Sequence, residues 1–290
     1  MQNQELKYEI PYEISLDSIQ KIAISGIVRA LTFVKFAATG AYDLEKVNMP
    51  TQNEGQLLSN DFMPPIQPAD FQKCKDDFVT WNLNNAVNEI IESFFVFLEI
   101  SYFALDANGD RRQAKSSDNL AEVIKNWEKE VRKSLRNNNK IQELSKKGLK
   151  FSDDQKKIIE SFWDIRNLLS HNLGIADSSR NLDVDENKII LKWYRLEMFA
   201  MLKNGKERPL VRESTLIEAY PDLSEEEIGG HFDVGIRKGI QTKEIQIDDS
   251  ISFDIDEVQQ IGWTFWHIVH YVSAKHLEIV NTPSAKEHNQ

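Results

Sequence analysis

The chain has 290 residues, a formal net charge of −11, 41% hydrophobic residues and 28% charged residues. This is the balance of an ordinary folded chain, long enough to bury a core, and it excludes a surface that is basic all over. A single cysteine, Cys74, excludes an intrachain disulfide and a cysteine-rich zinc site, and its bland reading is a small buried residue.

The opening MQNQELKYE has no basic segment leading into an apolar run, so no signal peptide is predicted. Together with the lone cysteine this points to a reduced, cytoplasmic setting. Residues 1–16 alternate weakly and read as an edge strand or arm. Asp17 is the expected N-cap of a helix running to about Ala41, with Ile19, Ile22, Val28, Leu31 and Val34 facing inward. Its β-branched content and Gly26 leave a strand open as the alternative. Residues 46–68 hold Pro50, Pro64, Pro65 and Pro68 and read as a linker. The expected division is an N-terminal extension over 1–66, a helical domain over 67–280 and a frayed tail over 281–290.

A long helix is predicted over roughly 69–105, with Phe71, Phe78, Trp81, Ala86, Ile90, Phe94, Phe97 and Ile100 on its apolar face. Its most apolar run, Ile90 to Leu105, contains Glu92 and Glu99 and falls short of a membrane span, so no membrane partner is expected. ALDANGDRRQ reads as a turn. A second helix, amphipathic and basic, is predicted over 118–147 and ended by Gly148. From Lys125 to Lys150 nine basic residues stand against three acidic ones. Lys125, Lys129, Arg132, Lys133, Arg136 and Lys140 are the candidates to guide a polyanion, although such a block also suits a solvated helix face.

Ser152 is expected to cap the next helix through its SDDQ start. That helix contains IIESFWDIRNLLSHNLG, from Ile158 to Gly174. Ile158, Phe162, Ile165 and Leu169 form an apolar stripe at helical spacing. Asp164, Asn167 and His171 share a second, polar stripe. Arg166 lies off that stripe, yet its length can bring the guanidinium near the imidazole. Gly174 is the expected C-cap, which places His171 in the last turn, where the helix dipole favours its protonated form.

Beyond it, IADSSRNLDVDENK reads as polar loop. IILKWYRLEMFAML reads as strand or helix, with its later part leaning to helix. Residues 203–242 carry little pattern, and KEIQI-DDS-ISFDI reads as a short β-hairpin. Asp256 is expected to cap a final helix with Val258, Ile261, Phe265, Ile268 and Val272 as its buried stripe. His267 and His270 on that helix, near His276, have no acidic or cysteine partner at ligand spacing, so no metal site is predicted. Asp254, Asp256 and Glu257 are explained by capping of the same helix.

An arginine, a polar residue and then a histidine, R-x-x-x-x-H near a helix end, resembles the signature of HEPN domains. The resemblance rests on Arg166, Asn167 and His171 and on their helical context, and it covers about residues 69–280. It implies a mainly α fold: a HEPN-like helical bundle with a short β-hairpin and the N-terminal extension. It also implies a metal-independent endoribonuclease with no cofactor. His171 would act as general base or acid on the RNA 2′-hydroxyl. Arg166 would hold the scissile phosphate. Asn167 would orient the histidine or the phosphate. Products would be a 2′,3′-cyclic phosphate and a 5′-hydroxyl. The partners implied are RNA, a second copy of the chain completing a composite site across a two-fold axis, and an antitoxin or regulatory protein. HEPN toxins that pair with a nucleotidyltransferase often carry a tyrosine two positions after the histidine. Leu173 stands there, so a stand-alone nuclease of antiviral defence or stress response is the closer match. The same residues also suit a helix-end salt bridge, or a HEPN-like module kept for dimerisation or for binding a ligand or partner.

Overall fold

The computed structural model describes residues 7–9, 15–43, 70–109, 113–115, 120–137, 140–171, 188–202, 205–210, 224 and 233–281. The elements run β1 (Lys7–Glu9), α1 (Leu16–Asp43), α2 (Phe71–Gly109), β2 (Gln113–Lys115), α3 (Leu120–Asn137), α4 (Lys140–Lys146), α5 (Asp153–His171), β3 (Lys188–Met201), β4 (Glu207–Pro209), β5 (Asp233–Gln246) and α6 (Ile255–Asn281). The architecture is mainly helical, with one small three-stranded antiparallel sheet in the order β4-β3-β5. The 46–68 linker, the expected C-cap Gly174, residues 175–187 of the expected polar loop and residues 282–290 lie outside the described residues, and Lys188, the last residue of that loop, is strand.

Helix α1 begins where the Ser15 hydroxyl accepts from the Ser18 N–H at 3.3 Å, so Ser15 takes the capping place expected of Asp17. Its inward face is Ile19, Ala23, Ile27, Ala30 and Val34, whereas Ile22 and Val28 point to solvent. The small residues win because α1 lies tight against α2. A Cβ on Gly26 would overlap the Ser93 side chain. The crossing therefore needs glycine there, and the strand alternative is closed. By length and hydropathy Leu16–Ala41 would suit a membrane span. Part of that apolar surface lies instead against α2 and α6, in the same core as the 67–280 helices.

Helix α2 centres the bundle. Ala86, Ile90, Phe94 and Phe97 are buried as expected, but Phe78 and Trp81 near its start are exposed and stack on each other at the surface. Cys74 is half-buried rather than buried. The helix runs on to Gly109, so the expected turn at ALDANG is its last turn and a half. The edge-strand reading of the N-terminus holds for Lys7–Glu9, which pairs antiparallel with Gln113–Lys115. The basic helix expected over 118–147 is two helices, α3 and α4. Gly148, with φ +94°, closes α4 in the left-handed conformation, and the Leu149 N–H donates to the Leu144 carbonyl at 3.1 Å.

Two strand assignments differ from expectation. Residues 188–201 are strand throughout, paired with β5 from Lys188↔Gln246 to Met201↔Asp233, with no helical part. A short apolar run does not distinguish strand from buried helix by periodicity; here a partner strand decided it. That partner, β5, was illegible because Gly235 and Gly239 interrupt its pattern, and the Phe199 ring lies over Gly235. The hairpin expected within 243–255 is formed only in part. Lys243–Gln246 close the β3 ladder, a turn with Asp248 at φ 73° follows, Ser250 makes a single bridge, and Ile251 and Phe253 enter the core outside any strand.

Helix α6 has its expected buried stripe, Val258, Ile261, Phe265, Ile268 and Val272. Its cap is Asp254, not Asp256. Asp254 accepts from the Glu257 N–H at 2.7 Å, and Glu257 accepts back from the Asp254 N–H at 3.0 Å. Toward its far end His276 is 2% exposed, and burial pushes its imidazole pKa down to about 4. The unfolded chain binds this proton below about pH 6.5, and the folded chain only near 4. Folding stability therefore decreases as pH is lowered through that window and levels off below it. The difference amounts to about 3 kcal/mol at one pKa unit per 1.4 kcal/mol. His276→Leu is expected to remove this component, seen as a flatter urea midpoint against pH; parallel wild-type and variant curves would refute it.

Candidate functional site

Helix α5 carries the motif, and its start follows the expected capping box. The Gln155 N–H donates to the Ser152 hydroxyl at 3.2 Å, and the Ser152 N–H donates to the Gln155 amide oxygen at 2.9 Å. Ile158, Ile159, Phe162, Ile165 and Leu168 are buried, while Leu169 is only partly so. The Phe265 ring of α6 touches Phe94 at 4.8 Å and Phe162 at 5.1 Å, which ties α2, α5 and α6 together. With that face committed, α5 turns Glu160, Trp163, Asp164 and Arg166 towards an open cleft.

The cleft measures about 790 Å³ and is walled by α2, α3, α4 and α5. Its polar lining is Arg132, Lys140 and Arg166 against Glu92, Glu99, Glu160 and Asp164; Phe95 and Trp163 supply aromatic surface. Arg166 Nε donates to Glu92 Oε1 at 2.5 Å, and its Nη1 reaches the Asn167 amide oxygen at 3.4 Å. Next along the same seam the Ser170 hydroxyl lies 3.1 Å from Asn88 Oδ1. Arg166 and Asn167 are chain neighbours in contact, whereas the expected approach of the Arg166 guanidinium to the His171 imidazole falls outside the described residues. His171 is the last residue of α5, and its side chain lies outside the described residues.

The six basic candidates divide. Trp127, Val131 and Leu135 anchor α3 to the core, so Lys125, Lys129, Arg132 and Lys133 stand on its exposed side. Only Arg132 and Lys140 line the cleft, and both reach one carboxylate, Glu99, at 3.6 and 3.4 Å. The Lys140 ammonium also stands 5.7 Å from the Phe95 ring and 5.6 Å from the Trp163 ring. The Arg136 side chain lies outside the described residues.

Sequence reasoning missed the site roles of Glu92, Glu99 and Trp163. A signal was present: Glu92 and Glu99 lie seven apart in an apolar run, two turns along one helix face. Asp164 was placed on the polar stripe without a role. Burial first, and Glu160 second, push its carboxyl above the usual range. The folded state therefore holds the Asp164 proton more tightly, and ionisation costs stability above the carboxylate range. Asp164→Asn should raise the urea midpoint at about pH 7 and lose that gain as pH falls through the carboxylate range; a drop at neutral pH would contradict this.

Among the described residues no group of three or more His, Cys, Asp or Glu side chains could hold a metal ion. His267 stacks on Trp263 at 5.5 Å and lies 3.4 Å from the Lys238 ammonium. Burial, then Lys238 and His270, lower its pKa. His270 lies 2.9 Å from the Gln20 amide. Compared with known proteins, the chain matches no family model, no curated protein and no solved structure.

Proposed function

We propose that the chain is a metal-independent endoribonuclease of HEPN type, acting in the cytoplasm as a homodimer with a HEPN-like helical bundle. One observation carries the reading: Arg166 of the R-x-x-x-x-H motif lines an open cleft together with Arg132 and Lys140. Its side chain is 31% exposed, so the guanidinium is open to a phosphate entering the cleft. Arg132, Lys140 and Arg166 are each paired with Glu92 or Glu99, so a polyanionic strand would bind here by sharing or displacing those carboxylates, while the exposed lysines of α3 lie outside the cleft. In this reading Arg166 leaves or shares its Glu92 pair to hold the scissile phosphate, and His171 moves the 2′-hydroxyl proton. A regulatory or antitoxin partner would act by covering this cleft.

The second reading is a non-catalytic HEPN-like module that binds a ligand or partner. Its support is the same Arg166–Glu92 pair, which already neutralises the charge of the guanidinium. The test is cleavage of total RNA in EDTA by the wild-type protein beside Arg166→Ala and His171→Ala. Metal-independent cutting that leaves cyclic phosphate ends, lost in both variants, supports the nuclease. Equal silence of all three, or equal cutting by all three, overturns it.

A further inference from the structure

Phosphate chemistry at Arg166 leaves the aromatic part of the cleft unused. The Trp163 indole is 38% exposed in that cleft. Its orientation is set from below by Phe95, which is 5% exposed and meets it edge-on, with centroids 4.6 Å apart and rings 79° to each other. Apart from the Lys140 ammonium, 5.6 Å from the ring centroid, its remaining surface faces the cleft, where a flat ring can stack on it, and any base can do so. Beside it on α5 the Asp164 carboxylate also lines the cleft.

The charges are unevenly matched. Glu92 takes Arg166, and Glu99 takes both Arg132 and Lys140. Among the described residues Asp164 has neither an ion pair nor a hydrogen bond, and its nearest charged influence is another carboxylate, Glu160. A partly buried, unmatched carboxylate beside an exposed indole asks for a ring bearing N–H donors on its edge.

We infer that the cleft is a guanine subsite, in which the base stacks on Trp163 and presents its N1–H and N2–H donors to Asp164. Guanine is singled out by its edge: two donors lie side by side and match the two oxygens of a carboxylate. Adenine and cytosine offer one amino group beside a ring-nitrogen acceptor, and uracil one N–H between two carbonyls; each turns a lone pair towards Asp164. The O6 and N7 acceptors of guanine suit a nearby lysine, and Lys140 already stands over the indole. That the base belongs to an RNA strand rests on the nuclease reading; the stacking and edge contacts do not.

The experiment is calorimetric titration of the full chain with 5′-GMP and 5′-AMP, in wild type, Asp164→Asn, Trp163→Leu and Trp163→Phe. Wild type is expected to bind GMP about 10-fold more tightly than AMP. Asp164→Asn should erase that preference while its melting curve stays at or above wild type. Trp163→Leu should weaken both nucleotides about 10-fold, and Trp163→Phe should retain most of the binding. Equal affinity for the two nucleotides in wild type, no binding of either, or a GMP preference that survives Asp164→Asn overturns the subsite. RNA cleavage without GMP preference overturns the subsite and leaves the nuclease reading standing. GMP preference in a protein that cuts no RNA supports the subsite and removes the nuclease reading.

Discussion

Replacing Arg166 or His171 with alanine is expected to reduce RNA cleavage by about 10²-fold or more. A positioned acid–base group contributes on the order of 10²–10⁴-fold, and a donor aimed at developing negative charge on the order of 10²–10³-fold. If the two act as a unit, the double variant should be little worse than the more damaged single one. Arg166→Lys should not restore the rate, since an ammonium cannot replace the planar fork that a phosphate and Glu92 can share. A structural explanation predicts something different. The Arg166–Glu92 pair is about one-third exposed on both sides, and such pairs are worth about 1 kcal/mol at most. Arg166→Ala should therefore melt close to wild type. A large drop in melting temperature alongside lost cleavage would assign Arg166 to the fold.

The largest loss of stability is expected from Phe265→Ala. This ring has no exposed surface, and it sits between Phe94 of α2 and Phe162 of α5. Its removal leaves a void where three helices meet, and the walls are helices already fixed by Gly26, Ser93 and the capping boxes. Truncating a buried phenylalanine costs about 3–5 kcal/mol, a large share of the total stability of a domain. Trp81→Ala removes an even larger ring, but one that is 63% exposed. Its expected cost is within about 0.5 kcal/mol. Urea unfolding followed by circular dichroism checks both, and a Trp81→Ala variant as unstable as Phe265→Ala would show that the α1–α2 surface is an unrecognised part of the core.

Local signals were legible in the sequence wherever their physics is local. The capping box of Ser152 and Gln155, the left-handed stop at Gly148 and the α6 stripe from Val258 to Val272 depend only on residues within a few positions of each other. The inward face of α1 was not legible, because Ala23, Gly26 and Ala30 look neutral until α2 lies across them. Neither was β5, whose glycines make sense only beneath Phe199 and Glu197 of the opposite strand.

By itself the sequence determined a mainly helical chain, the helix that carries Arg166 and His171, and a basic face on the helix before it. Periodicity and capping are short-range effects, and a single chain displays them directly. Only the tertiary structure decided which charges meet. It drew Glu92 and Glu99 from the midst of an apolar run to Arg166, Arg132 and Lys140, left Asp164 unmatched beside Trp163, and turned Lys125, Lys129 and Lys133 away from the cleft. The reason is geometric. Which helix faces another is set by packing over tens of residues, and a carboxylate's partner is whatever that packing brings within a few ångströms.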